Sequence, residues 1–231
     1  KVKDSDLILS EDYVFSFTTE SSGEEQLVSV NNLINTFTTS QTHFISAYVN
    51  RNAVKYEYDM AVYAFDSSGS FLKDIKQFDE AFAYLKMYEN ITNEVPSYLS
   101  LVESFKSTPV EVAYGYVNFH SFEMPRQLDS GYYLVRIAYE DKQYFSYIQV
   151  NDMMVYDSQF EDNHFLWLLN SKNQNPISNA TVTINDQFTG TSKQDGTATI
   201  NYINDPETFT TYAVIEAEGF NDFVMRSVKR F

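Results

Sequence analysis

Cysteine is absent from this chain of 231 residues. Disulfides, a thiolate nucleophile and Cys-ligated metal are thereby excluded, while the redox compartment stays open. Positive charge is scarce as well, with 16 Lys+Arg against 32 Asp+Glu for a net charge of −16. Binding through phosphates works by neutralising them with Lys and Arg, so nucleic acid and anionic membrane surfaces are not expected partners. No apolar run approaches the ~20 residues that span a bilayer, and no basic start with an apolar stretch marks a signal peptide. The chain opens at Lys1-Val-Lys3 without Met and reads as a piece of a longer polypeptide, in which case missing targeting signals mean little.

Bulky apolar matter is plentiful: 43% of residues are hydrophobic and 16% aromatic, with 19 Phe and 18 Tyr. Such a chain can bury a core, and its length suits one large domain or two small ones. Most of it has a period of two. Tyr132–Tyr139 and Tyr144–Val150, separated by a polar corner at Glu140–Gln143, predict a hairpin of β-branched and aromatic strands. Turn chemistry recurs at Asp66–Gly69, Asp129–Gly131, Asn173–Pro176, Gln194–Gly196 and Asn204–Pro206. One stretch departs from this pattern. Phe71, Ile75, Phe78, Phe82 and Leu85 recur at spacings of four, three, four and three, which predicts an amphipathic helix from Phe71 to Tyr88. A second helical pattern runs through Leu99, Val102 and Phe105 and stops at Thr108-Pro109. The competing reading makes Phe71–Ile75 the return strand of a hairpin.

Composition then divides the chain. Residues 1–35 hold a strand-like stretch, Leu7–Thr19, and a polar linker around Glu20–Glu25. Residues 36–151 hold several strands and the helical insertion at about 71–106, and residues 152–231 a further set of strands.

Sites for chemistry are hard to build from these residues. His43, His120 and His164 alternate with aromatics and lack metal-ligand spacing, so each is read as a strand-face histidine. Glu24-Glu25, Glu140-Asp141 and Glu161-Asp162 fall at turns or linkers, where carboxylates are solvated. Lys193-Gln-Asp-Gly196 lacks the run of acids that calcium requires and is read as a plain turn. There is no phosphate-binding glycine loop and no Gly-x-Ser-x-Gly elbow. Asn90-Ile-Thr92 and Asn179-Ala-Thr181 match a glycosylation acceptor that matters only in a eukaryotic secretory pathway. Trp167, the single tryptophan, lies in the apolar run Phe165–Leu169 and is expected to be buried. The expectation is no catalytic residues, no cofactor, no metal and no enzyme.

Three segments in order carry a resemblance: Asn163–Ser171, then Lys172–Ile184 with Pro176 and Ala180, then Thr191–Ile200 with Asp195-Gly196. Together they resemble the macroglobulin-type β-sandwich of the alpha-2-macroglobulin family. Pro176 fixes φ ahead of a strand, Ala180 is small where the chain enters the sandwich, and Asp195-Gly196 makes a tight corner. Upstream, Met124–Ile137 with Pro125 and Gly131-Tyr-Tyr133 is similar to the start of a strand in that family. Ser10–Thr19 is similar to the closing strand of bacterial immunoglobulin-like modules. The stretch from 71 to 109 does not follow the pattern.

The resemblance implies a mainly β protein of tandem immunoglobulin-like or macroglobulin-type antiparallel β-sandwiches with a short helical insertion. It further implies a scaffold fragment of a bacterial protease-trapping inhibitor, extracellular, on the cell surface or periplasmic. Its partners would be neighbouring domains of the same longer chain and, for the full-length protein, target proteases. Motion between domains would transmit the effect of bait cleavage. Family members with a thioester need a Cys, which this chain lacks, so Gly23–Gln26 is read as linker. The alternative is a cell-surface adhesin or glycan-binding immunoglobulin-like module with an exposed aromatic face.

Overall fold

The computed structural model describes residues 28–30, 32–81, 94–114, 117–160, 163–201 and 210–228. In chain order they form β1 (Val28–Val30), β2 (Ile34–Phe37), β3 (Phe44–Val49), β4 (Tyr58–Ala64), α1 (Ser68–Ala81), β5 (Ser100–Ser107), β6 (Val110–Tyr114), β7 (Val117–Glu123), β8 (Gly131–Tyr139) and β9 (Lys142–Val150). After a two-residue step come β10 (Met153–Phe160), β11 (Asn163–Asn170), β12 (Thr181–Ile184), β13 (Phe188–Thr191), β14 (Thr197–Asn201), β15 (Thr210–Glu216) and β16 (Phe223–Val228).

These strands form two sandwiches. In the first, a sheet ordered β1-β3-β7-β6 faces one ordered β2-β9-β8-β4-β5. Between them Ile45, Ala47, Val49, Phe122, Met60, Val62, Val135, Ile137 and Ile148 are buried. In the second, β10-β11-β14 faces β13-β12-β15-β16 around Leu166, Leu168, Val182, Ile184, Ile200 and Ile215. The architecture is thus mainly β and antiparallel, apart from β2, which pairs parallel to β9. The period-two reading is explained by register: β8 sends Tyr133, Val135 and Ile137 into the first core and Tyr132 and Leu134 to the opposite face.

That opposite face is covered too. Helix α1 lays Phe71, Leu72 and Ile75 on Tyr132, Leu134, Phe145 and Tyr147, and Val224 of β16 joins the same cluster. Strand β9 is therefore buried from Tyr144 to Val150, since both its faces are packed. The helix begins where Ser67 Oγ accepts the Ser70 N–H at 3.2 Å, a side-chain cap. Bonds from Ser70 and then Ser67 hold the Asp66 carboxyl below its usual range. Asp66–Gly69 is thus a helix start and not a strand-to-strand turn, and the hairpin alternative for Phe71–Ile75 is overturned. Phe82, Leu85 and the Asn204–Pro206 turn lie outside the described residues.

Two other expectations need correction. The helical pattern through Leu99, Val102 and Phe105 is strand β5, so the insertion read at about 71–106 is a helix over 68–81 followed by a strand. A register shift at Val62/Tyr63 pairs Glu103 with Val62 and Leu101 with Tyr63, leaving Val102 as the extra residue of a bulge. Val102 and Phe105, three apart, consequently both pack on the first core. The second correction concerns residues 1–35. Val28–Val30 pair with β3, Ile34–Phe37 pair with β9, and Val28 and Phe37 are buried in the first core. The first sandwich therefore begins ahead of residue 36.

Candidate functional site

The junction between the sandwiches is a polar region bonded from both sides. Val150 ends β9 and Met153 begins β10, so Asn151 and Asp152 alone connect them. Asn151 is almost fully buried. Its Nδ2 donates to the carbonyls of Asn221 (2.8 Å) and Asp222 (3.0 Å), and its Oδ1 accepts the Met153 N–H at 2.9 Å. Every side-chain hydrogen-bonding group of this amide is used, as burial requires.

Asp152 gathers the other side of the junction. Its carboxylate accepts the Thr39 N–H at 3.0 Å and the Thr39 hydroxyl at 2.9 Å from the first sandwich, and lies 2.7 Å from Lys172 Nζ of the second. Burial pushes this carboxyl's pKa up; the Lys172 ammonium and the Thr39 donors outweigh it and hold the group below its ordinary value. Across the apolar contact, Tyr132 donates to the Asp222 carbonyl and Ser68 to the Asp222 carboxylate, both at 2.5 Å. Lys76 of α1 reaches Asp186 at 2.8 Å and sits 5.4 Å from the Tyr212 ring centroid. Burial is the largest cause of the raised Tyr132 pKa, with the Asp222 charge next.

The residues considered for chemistry do not converge. His43 is buried just ahead of β3; its Nδ1 accepts the Leu128 N–H at 2.9 Å, so its Nε2–H is the donor to the Thr38 carbonyl at 3.2 Å. It pins two loops. His120 is on β7 and His164 on β11, both buried. His164 is hydrogen-bonded to Asp157, whose other oxygen accepts Ser227 Oγ at 3.1 Å. Here the carboxylate lies between serine and histidine, whereas nucleophilic catalysis needs the histidine between serine and acid. Among the described residues, no group of three or more His, Asp or Glu could hold a metal. Glu140 and Asp141 form the β8–β9 turn in solvent, and Asp195 bonds the Thr197 N–H at 3.0 Å within its own turn. Glu24-Glu25, Glu161-Asp162, Gly23–Gln26 and Asn90 lie outside the described residues. Asn179 occupies a left-handed turn (φ 57°) before β12.

Trp167 reverses its expectation. It is 42% exposed, beside Phe165 at 43% and cross-strand from Tyr156 at 51%, on the outer face of the β10-β11-β14 sheet. Its neighbours Leu166 and Leu168 take the core instead. The junction residues Gln149, Asn151, Asp152 and Asp222 carry no motif or spacing that marks them in the sequence.

The architecture defines a class: two antiparallel β-sandwiches in tandem, fused through a helix-capped sheet face. Within it, the chain is similar to solved alpha-2-macroglobulin structures. One is native alpha-2-macroglobulin from Escherichia coli spanning domains MG0-NIE-MG1, with a TM-score of 0.56 and 12% identity over 94% of this chain and 68% of that one. Another spans domains NIE-MG1 of the same protein, with a TM-score of 0.53 and 12% identity over 86% of this chain and 95% of that one. At such identity the likeness is one of fold. No protein-family model and no curated protein matches the sequence.

Proposed function

We propose that this chain is a scaffold segment of a bacterial alpha-2-macroglobulin-like protease-trapping inhibitor, without catalytic activity of its own. The observation that carries the reading is the common fold with the NIE-MG1 region of the E. coli protein, which accounts for 95% of that structure. The two sandwiches, with junctional polar bonds and an apolar contact between them, act as one rigid unit. Motion that follows bait cleavage would then occur at the ends of this unit and not between its halves. Its partners are neighbouring domains of a longer chain, on the cell surface, outside the cell or in the periplasm. The missing Cys means that any thioester thiol is supplied by another segment. Incubation of the chain with active serine, cysteine and metalloproteases should leave each protease active and unlinked on a denaturing gel. A covalent adduct, or protease inhibition by this chain alone, would overturn the reading.

A second reading, a surface module that binds glycans, is favoured by the exposed trio Tyr156, Phe165 and Trp167. Affinity electrophoresis in polysaccharide gels separates the two. Retardation that disappears in both Tyr156→Ala and Trp167→Ala supports glycan binding, and unretarded migration rejects it.

A further inference from the structure

Helix α1 roofs only part of the outer face of the five-stranded sheet. Beyond it, register places Lys106, Asp59, Ala138 and Gln143 in one row across β5, β4, β8 and β9. The adjoining row holds Ser104, Ala61, Arg136 and Phe145. A cavity of about 500 Å³ opens here, lined among others by Asp59, Ser104, Lys106, Arg136, Glu140 and Gln143. The small side chain of Ala138 at its wall leaves this space open, and the volume falls in the ~300–1,000 Å³ range of ligand pockets.

The charges in the cavity are unevenly satisfied. Lys106 Nζ lies 3.1 Å from Glu57 and 3.7 Å from Asp59, so that cation is already matched. Arg136 is not. Its Nε is buried and has no hydrogen-bond partner among the described residues, in a chain that carries twice as many acids as bases. A guanidinium offers donors only, in a fixed plane whose two terminal N–H groups match the two oxygens of a carboxylate. Ser104 and Gln143 add a hydroxyl and an amide within the same walls. Glu140 at the rim disfavours a second negative charge on whatever enters.

We propose that this cavity binds a single carboxylate on an otherwise uncharged peptide-like frame, held by the terminal nitrogens of the Arg136 guanidinium. The site is independent of the scaffold reading, which stands or falls on protease incubation. The carboxylate can come from a peptide C-terminus or from an acidic side chain, and the probes differ accordingly. N-acetyl-Ala-Ala with a free terminus, its C-terminal amide, N-acetyl-aspartate amide and inorganic phosphate are titrated into the isotope-labelled chain. The readout is the Arg136 Nε–Hε resonance, assigned by its loss in Arg136→Gln.

Saturable movement of that resonance at millimolar concentrations by either carboxylate probe supports the site and identifies the source. Backbone resonances around the cavity should need about tenfold more probe or beyond in Arg136→Gln, since a charge-assisted bond has gone. Ala138→Leu keeps Arg136, takes up space in the cavity wall two residues along the same strand face and should weaken the movement, which decides the matter even if Arg136→Gln does not fold. No saturable movement, equal movement by the amide, movement by phosphate only, or undiminished binding in Ala138→Leu would each overturn the proposal.

Discussion

Gln149 and Val224 are joined by a pair of hydrogen bonds that imitates a β-ladder from a side chain. The Val224 N–H donates to Gln149 Oε1 at 2.6 Å, and Gln149 Nε2 donates to the Val224 carbonyl at 3.1 Å. β16 is the edge of its sheet, so these two backbone groups, turned away from β15, would otherwise lack a strand to meet. Gln149 itself is fully buried. Replacing it with leucine, of similar volume, strands both groups in a dry contact at about 1–3 kcal/mol each. Gln149→Leu should therefore lower unfolding stability by about 2–6 kcal/mol in urea titrations. A single transition should broaden or split as the sandwiches uncouple.

The carboxyl of Asp152 supplies a pH-dependent part of the same junction. Its folded pKa lies below the ordinary value of 3.8, so its contribution is complete above that value and disappears as pH falls through the folded one. The stability difference between the native chain and Asp152→Asn should accordingly be flat from about pH 7 to pH 5 and shrink in the window below the ordinary aspartate value. A difference that instead grew on acidification would contradict the assigned direction. Chemical denaturation at stepped pH values measures it.

Legibility in the sequence followed how completely one residue's surroundings were set by its own neighbours. The hairpin of β8 and β9 was readable because strands pair locally and its turn needs only Glu140 and Asp141. Phe71, Ile75 and Phe78 gave away α1 because a helix carries its period within itself. β5 misled for a physical reason: the bulge at Val102 inserts a residue, and period two becomes a spacing of three. Trp167 misled because hydrophobicity does not say which face of a strand is inward, and Leu166 and Leu168 hold that face. The junction could not be read at all. Gln149 meets Val224, 75 residues away, and nothing local distinguishes it from a surface glutamine.

Gly196 and Gly219 make a controlled pair for the corner chemistry of the second sandwich. Both adopt left-handed backbone, at φ 78° and 82°. A Cβ on Gly196 would sit 2.4 Å from the Leu168 carbonyl oxygen, whereas one on Gly219 would meet nothing within 4 Å. Gly219→Ala should cost about 1–2 kcal/mol, the left-handed penalty alone. Gly196→Ala adds a backbone clash and disturbs the bond from the Leu168 N–H to the Gly196 carbonyl (2.9 Å), so about 2–4 kcal/mol is expected. Thermal melts of the two variants should separate clearly, and equal losses would mean that the corner gives way easily.

Trp167 offers a direct optical check on the outer face of β11, because it is the chain's only tryptophan. Its indole Nε1–H donates to the Asp195 carbonyl at 3.2 Å and its ring lies 5.6 Å from that of Tyr156, so it is held in place yet wet. Native fluorescence should be quenched efficiently by acrylamide, and its emission should shift only slightly on unfolding. Truncation in Trp167→Ala removes surface packing without opening a core cavity. The loss should stay below about 1.5 kcal/mol, against the ~3–5 kcal/mol typical of a buried aromatic. A blue-shifted, quencher-resistant native emission together with a large loss on truncation would put this tryptophan in a core and remove the aromatic face on which the glycan reading rests.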